Sequence, residues 1–138
     1  MAEEYDRPLP FPTDDTKPFW DSVKAHKMQL PFCAKCNEFF YYPRAFCPKC
    51  FTWSVEYKDV SGKGKVYGFA ICYRGQAEGW WDKAPYTVIT VELDEGPRMI
   101  SNLVNVEHDP KNVWVGMPVK VVYSDVTPEI SLPHFEPA

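Results

Sequence analysis

Four cysteines spaced Cys33-x2-Cys36-x10-Cys47-x2-Cys50 constrain this chain more than any other feature. Each C-x-x-C turn sets two sulfurs on one side of a tight loop, and two such knuckles facing each other close a tetrahedral S4 site. A closed set of four protein ligands leaves no position for water, so the metal it holds is structural. Zinc suits the set, with iron as the other metal that four thiolates hold and two disulfides or free thiols as the metal-free reading. The opening MAEEYDRPLP is acidic and proline-rich, with no basic stretch ahead of an apolar one, and does not read as a signal peptide. The expected compartment is a reducing cytoplasm, where disulfides are disfavoured. One structural Zn2+ is therefore expected, its charge offset by Lys35, Arg44 and Lys49.

The segment 31–53 around the cysteines is dense in rings: Phe32, Phe39, Phe40, Tyr41, Tyr42, Phe46, Phe51 and Trp53. A zinc module of about 20 residues has almost no core, and large rings flanking the metal substitute for one. Glycine often follows such a knuckle, where φ is positive; here Asn37 and Phe51 stand there. Asn tolerates that conformation and Phe does not, so the second knuckle is expected to turn differently.

The flanks read as two further units. Residues 1–30 hold a polar arm, 1–15, expected to have no structure of its own, and a helix. In the arm the acid pairs Glu3/Glu4 and Asp14/Asp15 read as solvated charge. The helix spans 16–30, with Thr16 as N-cap, Pro18 in the first turn, Phe19, Trp20, Val23 and Lys27 on one face, and a stop before Pro31. Residues 54–138 read as strands over 65–74, 85–94, 98–106, 119–125 and 129–135, with a tight turn at Asp94-Glu95-Gly96 and a 3₁₀ turn at 109–114. Fourteen prolines in 138 residues fit short strands and stiff turns better than long helices. Five strands with a helical link between the third and fourth is the layout of an OB barrel. The fold class is thus mainly β: a helical hook, a zinc ribbon and a five-stranded OB barrel. The first barrel strand is apolar on both faces, Val66, Ala70 and Cys72 on one, Tyr67, Phe69, Ile71 and Tyr73 on the other. One face is left for the N-terminal zone or a partner chain to cover.

Formal charge is −4, and four thiolates on one zinc carry a further −2, giving about −6. The barrel region counts 8 basic against 12 acidic residues. Nucleic-acid binding normally needs the opposite balance. No stretch approaches the roughly 18 apolar residues of a membrane span. His26, His108 and His134 fall in different zones, and Cys72 sits among apolar strand residues with no base beside it. No nucleophile–base set or phosphate-cradling loop is visible, so no catalytic residue is assigned. The loop 75–84 carries Trp80 and Trp81 together, and both cannot point into one small barrel. At least one is expected to anchor a partner or cover an apolar ligand, with Arg74 and Lys83 flanking.

The order of parts resembles a known family. Phe19-Trp20, the four cysteines, "VSGKGKVYGF" (60–69), "PYTVITVELDEGPRMISNLV" (85–104), "VGMPVKVVY" (115–123) and "LPHFEPA" (132–138) follow the pattern of the zinc-ribbon plus OB-fold proteins associated with acyl-CoA enzymes, long carried as a domain of unknown function. The resemblance covers about residues 16–138. It implies a rubredoxin-like ribbon, Cys33, Cys36, Cys47 and Cys50 as ligands, and a role as non-catalytic small subunit. The implied partner is foremost a thiolase cleaving an aromatic or dicarboxylic 3-oxoacyl-CoA, or else a related aldolase, with the acyl-CoA at the joint surface. The alternatives are a stand-alone acyl-CoA or lipid-binding module, and a nucleic-acid-binding ribbon/OB protein.

Overall fold

The structure is a computed structural model that describes residues 5–138; the Glu3/Glu4 pair lies outside the described residues. Helix α1 (Lys17–Lys24) is amphipathic and buries Phe19 and Val23 completely. Pro18 sits in its first turn, where no N–H is missed. Thr16 precedes it, but its Oγ1 accepts from the Thr13 N–H (2.9 Å) and makes no cap bond to the helix. The helix ends six residues earlier than the sequence suggested. His26 adopts φ 58° and Lys27 N–H donates to the Ser22 carbonyl (3.0 Å), the bond pattern of a Schellman cap with histidine in the left-handed position. Residues assigned to the helix end are strand instead.

That strand, β1 (Gln29–Cys33), is the centre of a three-stranded antiparallel sheet ordered β2–β1–β3, with β2 at Glu38–Phe39 and β3 at Val55–Asp59. Pro31 lies within β1, opposite Tyr57, and its carbonyl accepts from Phe40 N–H (3.0 Å). The ribbon sheet thus draws one strand from each side of the cysteine segment.

The five remaining strands, β4 (Lys63–Cys72), β5 (Tyr86–Leu93), β6 (Arg98–Leu103), β7 (Pro118–Asp125) and β8 (Ser131–Pro137), close a barrel in the order β4–β5–β6–β8–β7. A 3₁₀ turn at Pro110–Asn112 links β6 to β7. Closure comes from β7 against β4 and from a parallel bridge, Leu103 opposite Phe135. In β5 residues alternate in and out, with Thr87, Ile89, Val91 and Leu93 buried, the period-2 pattern of a strand with one covered face.

A β-bulge between Val66 and Gly68 corrects the expected faces of β4. The extra residue shifts the alternation, so Ile71 joins Val66 against the core while Ala70 turns out. Tyr67 and Tyr73 remain largely exposed, with the Arg98 guanidinium over the Tyr67 ring at 3.8 Å. Barrel and hook share one core: Phe19, Val23, Met28 and Leu30 pack in the same cluster as Ile89, Met99, Leu103, Met117 and Phe135. Each fully buried side chain of this size contributes about 1.5–3 kcal/mol.

Candidate metal centre and aromatic loop

The first knuckle leaves β1 at Cys33 and returns as β2; the second follows Cys47. Both close with the same backbone bond. Asn37 N–H donates to the Cys33 carbonyl (2.8 Å) and Phe51 N–H to the Cys47 carbonyl (2.9 Å), with φ of 57° and 60°. The expectation for Phe51 is therefore overturned: it takes the same left-handed conformation as Asn37. That conformation costs a residue with a Cβ about 1–2 kcal/mol, and aiming both sulfurs at one point outweighs it. The Phe51 ring is 69% exposed and lies near Phe46, centroids 6.3 Å apart.

The four Sγ atoms lie within 4.8 Å of one another. Cys33 and Cys50 sulfurs are 3.6 Å apart, Cys36 and Cys47 3.9 Å. A tetrahedral S4 site with metal–sulfur bonds of about 2.3 Å has edges of about 3.8 Å, whereas a disulfide needs about 2.05 Å. The cluster therefore fits one metal ion, and all four cysteines are free thiols. Cys33 and Cys47 are buried, and Cys36 and Cys50 half-buried. The Cys50 and Lys49 backbone N–H groups bring the Cys47 thiol down to about 7. Cys36, hydrogen-bonded to the Cys50 sulfur and partly desolvated, is pushed up to about 12. Four thiolates this close do not ionise together without a cation, which is the electrostatic reason the cluster suits a divalent metal. Of the nearby cations, Lys49 is held by Glu38, while Lys35 and Arg44 are exposed.

Loop 75–84 separates the two tryptophans. Trp80 is half-buried against Tyr86, ring centroids 4.7 Å apart, while Trp81 is 69% exposed. The loop folds tightly on itself: a Cβ at Gly75 would stand 2.2 Å from the Trp80 carbonyl oxygen. Arg74 is exposed beside it, and Lys83 pairs with Asp6 (3.4 Å) and Asp82 (3.5 Å). Trp81, Tyr73 and Ile100 are large apolar side chains left open near this end of β4–β6.

The described arm, read as having no structure of its own, packs on this loop. Gly79, at φ 79°, lets it approach, since a Cβ there would meet the Asp6 carbonyl at 2.4 Å. The Arg7 guanidinium then stacks between Tyr5 (4.6 Å) and Trp80 (5.0 Å). Sequence reasoning also scattered the histidines. The structure brings His108 and His134 to one cleft with Arg7, Trp80, Lys83 and Tyr86. The bridge between Leu103 and Phe135 does this, and the only sequence signal was the position of His134 beside inward-facing Phe135.

Among the described residues no cysteine pairs with a histidine, and the two hydroxyl–imidazole pairs, at His108 and His134, have no carboxylate hydrogen-bonded to the ring. His26 and Ser131 both bond the Asp125 carboxylate, the first at 2.8 Å, and not each other. His108 bonds Thr87 and His134 bonds Ser124. Cys72 is half-buried at the end of β4 opposite Tyr86, and none of these histidine bonds reaches it.

The profile of the ChsH2 C-terminal OB-fold domain matches residues 57–124. A DUF35 domain-containing scaffold protein of Methanothermobacter thermautotrophicus is 34% identical over 98 residues, covering 70% of this chain and 71% of that protein. The chain belongs to the DUF35 family. A probable enoyl-CoA hydratase alpha subunit of Thermomonospora curvata is 30% identical over 132 residues, 96% of this DUF35 chain but 40% of the relative. The chain therefore spans well under half of that protein. The benzoylsuccinyl-CoA thiolase subunit BbsA of Thauera aromatica is 31% identical over 71 residues, 51% of this chain and 47% of BbsA. Among solved structures, a chain of the Ltp2-ChsH2(DUF35) aldolase superposes with a TM-score of 0.80 at 29% identity, covering 94% of this DUF35 chain and 98% of that one.

Proposed function

We propose that this protein is the non-catalytic, zinc-binding subunit of an acyl-CoA-processing complex whose catalytic chain is a thiolase- or aldolase-type enzyme. The observation that carries this reading is the end-to-end likeness to a chain of an aldolase, 94% of one and 98% of the other at a TM-score of 0.80. The likeness to a thiolase subunit supports the same class of partner over a shorter span. Cys33, Cys36, Cys47 and Cys50 hold one Zn2+, which fixes the ribbon and takes no part in chemistry. The exposed end of β4–β6 with Trp80, Trp81, Arg74 and Lys83 meets the catalytic chain or the acyl-CoA at the joint surface. Exposed rings of this size are favoured interface anchors.

The test is purification of the untagged protein with whatever accompanies it, followed by mass spectrometry and acyl-CoA assays of the complex. A stoichiometric acyl-CoA-cleaving or -condensing enzyme is expected, active only with this chain bound. A homogeneous chain that turns over acyl-CoA unaided would refute the reading.

A further inference from the structure

The arm, the loop 75–84 and β8 enclose a cleft of about 230 Å3 on the Arg7 side of Trp80, with Lys83, Pro85, Tyr86, Asn102, His108 and His134 in its walls. Its polar groups are arranged for one kind of ligand. The His108 Nδ1 is engaged by the Thr87 hydroxyl at 2.8 Å and the His134 Nδ1 by the Ser124 hydroxyl at 3.0 Å. Both imidazoles are thus oriented through Nδ1; with each hydroxyl donating to Nδ1, the ring proton sits on Nε2, the nitrogen left to serve the cleft. Arg7 is fixed by two aromatic faces, and its buried Nε has no hydrogen-bond partner among the described residues. A buried donor left unpaired is costly and calls for an acceptor.

Charge points the same way. Two cations and two histidines line the cleft, and no carboxylate among the described residues does. Outside the lining, Asp6 stands 3.4 Å from the Lys83 Nζ and 4.0 Å from the Arg7 Nε, and Asp82 stands 3.5 Å from Lys83; both carboxylates are largely exposed, so Arg7 is the cation left least offset. Burial, and after it the charge of Arg7, hold His134 below its ordinary pKa, so the field of Arg7 reaches the ring. Beside the donors, Trp80 and Tyr86 offer apolar faces, and the volume is that of a small organic group, below the usual range for a drug-sized ligand.

We propose that this cleft is an anion-binding site for a carboxylate or phosphate group, held by Arg7, Lys83 and the Nε2–H of His108 and His134, whose small planar or apolar body rests on Trp80 and Tyr86. Its walls come from this chain alone, and through Trp80 and Lys83 it borders the surface proposed to meet the catalytic chain. A bound anion would offset the Arg7 field and supply the missing acceptor for its Nε.

The test is an NMR titration of the histidine ring signals in the full metal-loaded chain, with inorganic phosphate in one arm and benzoate in the other. Saturable shifts at His108 and His134 in either arm are expected, together with a rise in the His134 pKa of about half to one unit. Saturation by phosphate alone assigns a phosphate ester; saturation by benzoate alone or more tightly assigns a carboxylate on a planar body. Arg7→Gln should weaken binding about 10- to 100-fold, and so should His108→Gln in case the first variant disturbs the arm. Lys24→Gln, an exposed cation on α1, should change nothing. Absence of saturation in both arms, or equal shifts in wild type and both cleft variants, overturns the proposal.

Discussion

At the scale of single residues, two groups have outsized leverage. Cys47 is buried, its carbonyl closes the second knuckle, and its sulfur receives the Lys49 N–H at 3.4 Å. Structural zinc in small ribbons contributes about 10–16 kcal/mol of apparent folding free energy. Cys47→Ser is expected to abolish stoichiometric metal and unfold the cysteine knuckles, whose cluster of Cys33, Phe40 and Cys47 is their own, while the barrel, which takes Leu30 of β1 into its core, is weakened but keeps its fold. Elemental analysis with backbone NMR reads both, and a variant that retains one metal per chain would contradict the ligand set. His134 is the second group. Its pKa is lowered by burial and by Arg7, so the folded state disfavours the imidazolium relative to the unfolded chain. The unfolded chain therefore binds the proton first, and stability falls as pH drops below the ordinary histidine value near 6.5. His134→Gln should flatten that slope in denaturant titrations between about pH 7 and 5. An unchanged slope would show that the ring is not held neutral by the fold.

At the scale of elements, the loop 75–84 is the part whose behaviour most needs measuring. Trp80 is wedged between Tyr86 and Arg7, whereas Trp81 faces out. Truncating an interface tryptophan at a hot spot typically costs about 2–4 kcal/mol, a loss of about 30- to 1000-fold in affinity. Trp80→Ala/Trp81→Ala is expected to keep metal and fold while weakening association with the catalytic chain or raising the KM of the complex. Unfolding of the double variant would place the rings in the core; wild-type assembly and turnover would remove the loop from function. The elements also show what a sequence discloses. The ribbon and all five barrel strands were readable within two residues or so at most ends, because fixed Cys spacing and period-2 alternation are local signals. The end of α1 was not, since a Schellman cap with His26 in place of glycine leaves no composition mark. Nor was the Tyr67 bulge, which is fixed by pairing across to β5. The cleft that joins Arg7, His108 and His134 depends on barrel closure between residues more than 30 positions apart, and no motif spacing reports it.

At the scale of the whole molecule, side-chain bonds tie the hook to the barrel. His26 stacks on Tyr123 (5.0 Å) and bonds Asp125, tying the helix cap to β7, and the Tyr123 hydroxyl accepts from Met28 N–H at 2.9 Å. Among the described residues no helix is long and apolar enough to cross a membrane. What remains free is a surface of exposed rings at one end of the barrel and around the ribbon, where Phe51 and Trp53 also stand open. Exposed rings of this kind fit the interface proposed above. The direct measurement is turnover of an acyl-CoA substrate by the metal-loaded chain alone, by its co-purified catalytic chain alone, and by the two recombined. The account predicts no turnover by the chain alone and full activity only on recombination. Turnover by the isolated chain, abolished by Cys72→Ala, would contradict it and make that half-buried thiol a nucleophile.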